Sequence, residues 1–255
     1  MGKIIAVFNR KGGTGKTSTA VSLGHGLALA GRRVLLLDCD PQGNVSICLG
    51  INSNRTLYHL LIDNEAFEDC VVAAREGLDV IAANETLVAA DQALVAEIGR
   101  EKVLAEKLDG VSDNYDFVLL DCAPSLNIIN LNALLYADEL YVPISMDYLA
   151  LVGVKKILDN IERVKKRLNK DIDIALVIPT FFDIRNNISK EILDTLRQRF
   201  AGRVADPIRI NVRLKEAPSY KQTIFEYSPK STGAQDYRKL TERVLRYEKT
   251  ESLAG

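Results

Sequence analysis

Histidine is almost missing from this 255-residue chain: His25 and His59 stand alone, and neither is a credible metal ligand or general base. Cysteine is sparse too. Cys39, Cys48, Cys70 and Cys122 lack metal-ligand spacing, two of them sit at the ends of apolar runs that read as buried strands, and all four are read as core thiols. No apolar run approaches the ~20 residues that a membrane-spanning helix needs. Met1-Gly2-Lys3 leads straight into a strand pattern instead of a signal peptide, so the expected location is cytoplasmic with no membrane partner.

What is present is a chain that is 47% hydrophobic, enough to bury the core of one α/β domain. Short apolar runs alternate with helical patterns. Strands are predicted at 4–9, 33–39, 78–83, 117–122, 139–144 and 174–180, which implies a mostly parallel, twisted sheet with helices on both faces. Segment 52–107 is the least diagnostic; the spacing of Leu57, Leu60 and Leu61 suggests helices serving a dimer or an adaptor. Tyr237, Leu240, Val244 and Leu245 mark a C-terminal helix over about 232–248 that docks on the core.

The strongest motif follows the first strand. Arg10-Lys11-Gly12-Gly13-Thr14-Gly15-Lys16-Thr17, continuing into Ser18, reads as a phosphate loop at 10–17 opening a helix at 17–30. Glycines without Cβ let the backbone take positive φ and aim successive amides into one nest, and the helix N-terminus adds attraction for anions. Lys16 is placed on the β- and γ-phosphates and the Thr17 hydroxyl on Mg²⁺. Arg10 stands where the general pattern asks for glycine. Two apolar strands then end in acid. Val34-Leu35-Leu36-Leu37 runs into Asp38-Cys39-Asp40-Pro41-Gln42-Gly43-Asn44, and Phe117-Val118-Leu119-Leu120 into Asp121, a Walker B position at 117–121. Ligands of open α/β sheets bind beyond the carboxyl ends of strands, so Asp38, Asp40 and Asp121 are expected to face the phosphates and the metal.

These segments, together with Asp121-Cys122-Ala123-Pro124-Ser125-Leu126, Asn211 to Tyr220 and Tyr227 to Ala234, resemble the ParA-type partition ATPases of the ParA/MinD superfamily over nearly the whole chain. The resemblance implies a single-domain P-loop NTPase that uses ATP and Mg²⁺. It implies a homodimer closed over paired nucleotides, with Lys11 reaching the partner's phosphates, Gly12 permitting close approach and Asp147 near the partner's nucleotide. Asp40 becomes the water-positioning carboxylate, with Thr17, Asp38 and Asp121 at the metal. Region 183–221 becomes the adenine loop, with Arg209 and Asn211, and the DNA contact, with Arg185, Arg213, Lys215 and Lys221. The implied partners are non-specific double-stranded nucleoid DNA and an adaptor of the ParB type.

The chain departs from the family pattern in places. Arg209-Ile210-Asn211 stands where Pro-Arg-Asn is usual, Ser145-Met146-Asp147 where Gln-x-Glu is common, Ala123 where proline is frequent and Lys221 where glycine is frequent. Net charge, −1 overall, divides unevenly: residues 1–150 hold 11 Lys+Arg against 20 Asp+Glu, giving −9, and residues 151–255 hold 22 against 14, giving +8. A basic half suits an acidic partner, although runs such as Lys165-Lys166-Arg167 also look like solvated helix. Two other readings stay open: the same switch carrying a protein cargo or cargo adaptor, and a metabolic ligase of the dethiobiotin or cobyrinic acid synthetase type.

Overall fold

The structure is a computed structural model that describes residues 2–147 and 172–252, with side chains described as far as Glu248. The basic run from Lys155 to Lys170 lies outside the described residues. Strands β1 (Lys3–Val7), β2 (Val34–Cys39), β3 (Val71–Arg75), β4 (Leu78–Ile81), β5 (Phe117–Cys122), β6 (Glu139–Ser145) and β7 (Asp173–Thr180) form one sheet. Their order is β3-β4-β2-β5-β1-β6-β7, parallel throughout except for the β3–β4 pair. The predicted α/β class and mostly parallel sheet are therefore what the chain adopts.

Strand side chains alternate between faces with period two, and in this sheet each face is buried. Ile4, Ala6, Leu35, Leu37, Val118 and Leu120 pack on one side beneath α3 (Leu57–Leu61), α5 (Leu87–Leu94), α7 (Ile128–Tyr136) and α8 (Asn187–Arg199). Ile5, Val7, Leu36, Phe117 and Leu119 pack on the other beneath α1 (Lys16–Leu29) and the C-terminal helix α11 (Thr232–Ser252). The same alternation sorts the strand ends. Asp38 and Asp121 continue the α1-side series, whereas Cys39 and Cys122 continue the opposite one as buried free thiols.

The structure adds one strand and corrects one expectation. Besides the expected strand near 78–83, segment 52–107 holds β3, which turns at Gly77 and pairs antiparallel with β4 at the sheet edge. Its partly exposed Val-Val-Ala-Ala run lacks the unbroken apolar signal of the central strands. Leu57, Leu60 and Leu61 are buried in the chain's own core and offer nothing to a dimer or adaptor. The C-terminal helix docks on the core as expected, with Tyr237, Leu240 and Val244 buried against the α1 side.

Candidate functional site

The phosphate loop leaves β1 at the centre of the sheet, between β5 and β6, where ligands of open α/β sheets bind. Asn9 braces its first turn, donating to the Pro143 carbonyl at 2.7 Å and accepting from the Lys11 N–H at 3.0 Å. The Thr180 hydroxyl at the end of β7 holds the other limb, donating to the Thr14 carbonyl at 2.8 Å. Gly13 (φ 70°) and Gly15 (φ 84°) are left-handed, as a nest requires. Gly12 is not, which corrects its assignment to the turn geometry: a Cβ built there meets nothing within 4 Å among the described residues.

Lys16 is buried at the start of α1 with Nζ 3.4 Å from the Lys11 carbonyl, and burial lowers its pKa against the pull of Asp121 and Asp40. The strand-end carboxylates lie close to it. Asp38 and Asp121 are register partners on adjacent strands. Asp38 accepts from the N–H of Asp40 at 3.0 Å and of Val45 at 3.1 Å, yet burial and neighbouring Asp121 still drive its pKa well upward. Asp40 accepts from Gln42 N–H at 3.0 Å. Asp121 is fully buried, and among the described residues neither of its oxygens has a hydrogen bond of ordinary geometry. Burial pushes its carboxyl up to about 7, while the nearby Thr17 hydroxyl and Lys16 pull the other way.

An orphaned carboxylate beside a threonine hydroxyl and a lysine fits Mg²⁺. Mg²⁺ takes one or two carboxylates and completes its shell with phosphate and water. Among the described residues no cluster of three acidic, histidine or cysteine side chains could hold a metal unaided.

Lys11 behaves differently from Lys16. Its ammonium points to Asp147 Oδ2 at 2.5 Å and Ser145 Oγ at 3.3 Å, and Ser145 Oγ donates to the same Asp147 oxygen at 2.7 Å. Lys11 and Asp147 side chains are 37% and 49% exposed, and exposed pairs of this kind are worth roughly 0–1 kcal/mol.

Beside the loop, between the start of α1 and the 208–218 segment, lies a cavity of ≈ 320 Å³ lined in part by Gly15, Ser18, Phe181, Arg209, Asn211 and Tyr237. Its size suits a nucleobase and sugar. Arg209 and Asn211 both line it, but their polar groups are committed within the protein. Asn211 Oδ1 caps helix α9 (Val212–Glu216) by accepting from Arg213 N–H at 2.8 Å, and its amide donates to Thr232 Oγ1 at 2.6 Å. Arg209 is bound to Asp236, a residue that sequence reasoning missed; the only signal was Arg209 itself, standing where proline is usual.

The predicted DNA residues are exposed. Arg185 follows Phe182, which bridges to Arg209, so the 183–187 and 209–215 segments leave the sheet side by side. Arg185 is 86% exposed and doubly bonded to Asp183; Arg213 is 52% exposed and bonded to Glu216 at 2.9 Å. Lys215 stands on the rim of the cavity. Lys221 adopts left-handed φ 56°, the conformation glycine favours, with its stem against Gly50.

Residues 2–174 match the model of an AAA domain family. The chain is 41% identical over 249 residues to the sporulation initiation inhibitor protein Soj of Bacillus subtilis, covering 96% of this chain and 98% of that one. It is 39% identical to the chromosome partitioning protein ParA of Caulobacter vibrioides, covering 97% and 95%. Among solved structures, cobyrinic acid a,c-diamide synthase from Mycobacterium smegmatis, with bound ADP and magnesium, superposes with TM-score 0.85 at 32% identity, covering 98% and 97%.

Proposed function

Because this chain belongs to the ParA/MinD-type partition ATPases, we propose that it is an ATP-dependent switch that closes as a dimer, holds double-stranded DNA without sequence preference, and releases it on hydrolysis stimulated by an adaptor. The observation that carries the nucleotide half of this reading is the orphaned Asp121 carboxylate beneath a loop whose Gly13 and Gly15 are left-handed.

The triphosphate lies in the nest of residues 12–16, with Lys16 neutralising charge and the base in the adjoining cavity. Thr17 and Asp121, with Asp38 behind them, hold Mg²⁺, which when bound neutralises phosphate charge. Asp40 aligns the attacking water. Lys11 leaves Asp147 and reaches the partner's phosphates, and the weakness of that exposed pair makes the exchange cheap. Gly12, with open space where a Cβ would sit, admits the partner's backbone. Arg185, Arg213, Lys215 and Lys221 are exposed and meet DNA phosphates, and a dimer doubles that surface. Asp183 and Glu216 compete for the two arginines, which keeps the single subunit's hold on DNA weak. The protein works in the cytoplasm on the nucleoid with an adaptor of the ParB type.

The test is binding to arbitrary double-stranded DNA with ATP, ADP or no nucleotide, alongside Arg185→Ala and Arg213→Ala. Binding that needs ATP, weakens steeply with salt and is lost in the variants is the expected result. Asp40→Ala is expected to retain ATP-dependent DNA binding while losing turnover. A second reading is a ligase, favoured by the likeness to cobyrinic acid a,c-diamide synthase. It predicts acceptor-dependent turnover and no DNA binding in any nucleotide state.

A further inference from the structure

We propose that Asp236, on α11, is the positioning residue for the base-binding wall of the nucleotide cavity, acting through Arg209. This rests on the nucleotide-site reading above and names a residue that the phosphate-loop and carboxylate motifs do not include.

Asp236 is only 5% exposed, and among the described residues its carboxylate gathers its hydrogen bonds from one residue. Arg209 donates its backbone N–H to Oδ2 at 3.0 Å, its Nε to Oδ2 at 2.9 Å and to Oδ1 at 3.1 Å, and a terminal nitrogen to Oδ1 at 2.6 Å. Main chain and side chain are thus clamped at once. A forked guanidinium on a carboxylate has one favoured geometry, so the clamp fixes direction as well as distance.

Arg209 occupies the wall of the cavity between Ile208 and Asn211, and it shares the anchoring of that wall to α11 with Asn211, whose amide donates to Thr232 Oγ1 at 2.6 Å. The 208–210 strip hangs from the sheet by Ile208 N–H to Pro179 at 2.8 Å and by a two-bond exchange with Phe182. No proline stiffens it after Pro207. The ion pair does the work that a fixed φ would otherwise do, anchoring the strip to α11.

Helix α11 is a suitable anchor. The next residue, Tyr237, lines the same cavity, is buried, and places its hydroxyl 3.3 Å from Thr19 Oγ1 on α1, the helix that the phosphate loop opens. Asp236 therefore ties the base wall to the body that carries the phosphate site. Releasing it frees the wall while leaving Lys16, Thr17 and the loop glycines in place. Base binding and phosphate binding should then come apart.

The full chain is titrated with Mg-ATP and with magnesium inorganic tripolyphosphate, which has the phosphates and no base, and KM and kcat for ATP are measured in parallel. In Asp236→Asn the expected result is at least a tenfold loss of ATP affinity with tripolyphosphate affinity unchanged, seen in turnover as a raised KM at similar kcat. Asp236→Glu, which keeps the carboxylate, recovers part of the loss. Should Asp236→Asn not fold, Arg209→Gln removes the same clamp from its more exposed side and is read by the same ratio. Parallel weakening of both ligands, or unchanged ATP affinity in a folded variant, overturns the proposal. Wild-type protein that binds tripolyphosphate as tightly as ATP overturns it by showing that no base is read. Wild-type protein that binds neither removes the nucleotide-site reading itself.

Discussion

Asp121→Asn is expected to make the metal-free protein more stable while disabling it. The carboxyl of Asp121 is raised from 3.8 to about 7, chiefly because it is buried, with Asp40 adding to the rise and Thr17 and Lys16 opposing it. Between those values the folded chain keeps a proton that the unfolded chain has lost, so stability falls as pH rises from about 4 to about 7. The rise from 3.8 to about 7, at about 1.36 kcal/mol per tenfold change in proton affinity, sets a ceiling of about 4 kcal/mol on this penalty above pH 7. An asparagine of the same shape removes the charge but leaves a buried amide without partners, at a cost of about 1–2 kcal/mol. The net gain at pH 8 is then about 2 kcal/mol, or roughly 4–8 °C in Tm for a domain of this size. The assay is thermal or urea unfolding of both proteins in EDTA from pH 5 to pH 8, repeated with Mg-ATP. The variant should lead at pH 8, lose its lead towards pH 5, and gain nothing from Mg-ATP while the wild type gains. A variant less stable at pH 8, or a gap independent of pH, would refute the account of Asp121 as an uncompensated charge kept for the metal.

Other perturbations follow from the geometry. Gly43 has φ 63° and a Cβ there would lie 2.7 Å from the Ala83 carbonyl oxygen, so Gly43→Ala should cost about 2–3 kcal/mol in urea unfolding and displace Asp40. Lys221→Gly relieves a left-handed lysine (φ 56°) and should stabilise by about 0.5–1 kcal/mol. It should also lower the salt dependence of DNA binding by about one unit of slope per lost contact. Gly12→Val should fold and bind ATP as the wild type does, since the space is open in the single chain, but fail to dimerise by light scattering. Lys11→Ala should bind Mg-ATP and lose turnover, because its ammonium stands away from its own site on Asp147.

Much of the site was legible because its residues are local in sequence. A phosphate loop is one continuous turn, and Asp38 and Asp121 declare themselves as acids that end unbroken apolar strands. β3 escaped because an edge strand exposed on one face carries neither a long apolar run nor clean alternation. Leu57, Leu60 and Leu61 have the spacing of a helix face, and spacing alone does not say whether that face turns to the core or to a partner.

By itself, then, the sequence determined the α/β class, the central parallel strands and which loop carries the glycines and lysine of a phosphate loop, because each depends on residues within a few positions of one another. Tertiary structure decided what no short window contains. Register set Asp38 beside Asp121 from strands 83 residues apart, and only the closed core left both Asp121 oxygens without a hydrogen bond of ordinary geometry among the described residues. Folding also brought Lys11 to Asp147 and Arg209 to Asp236. The physical reason is that burial and pairing depend on what the rest of the chain packs against a residue, and the residue's own neighbours in sequence do not carry that information.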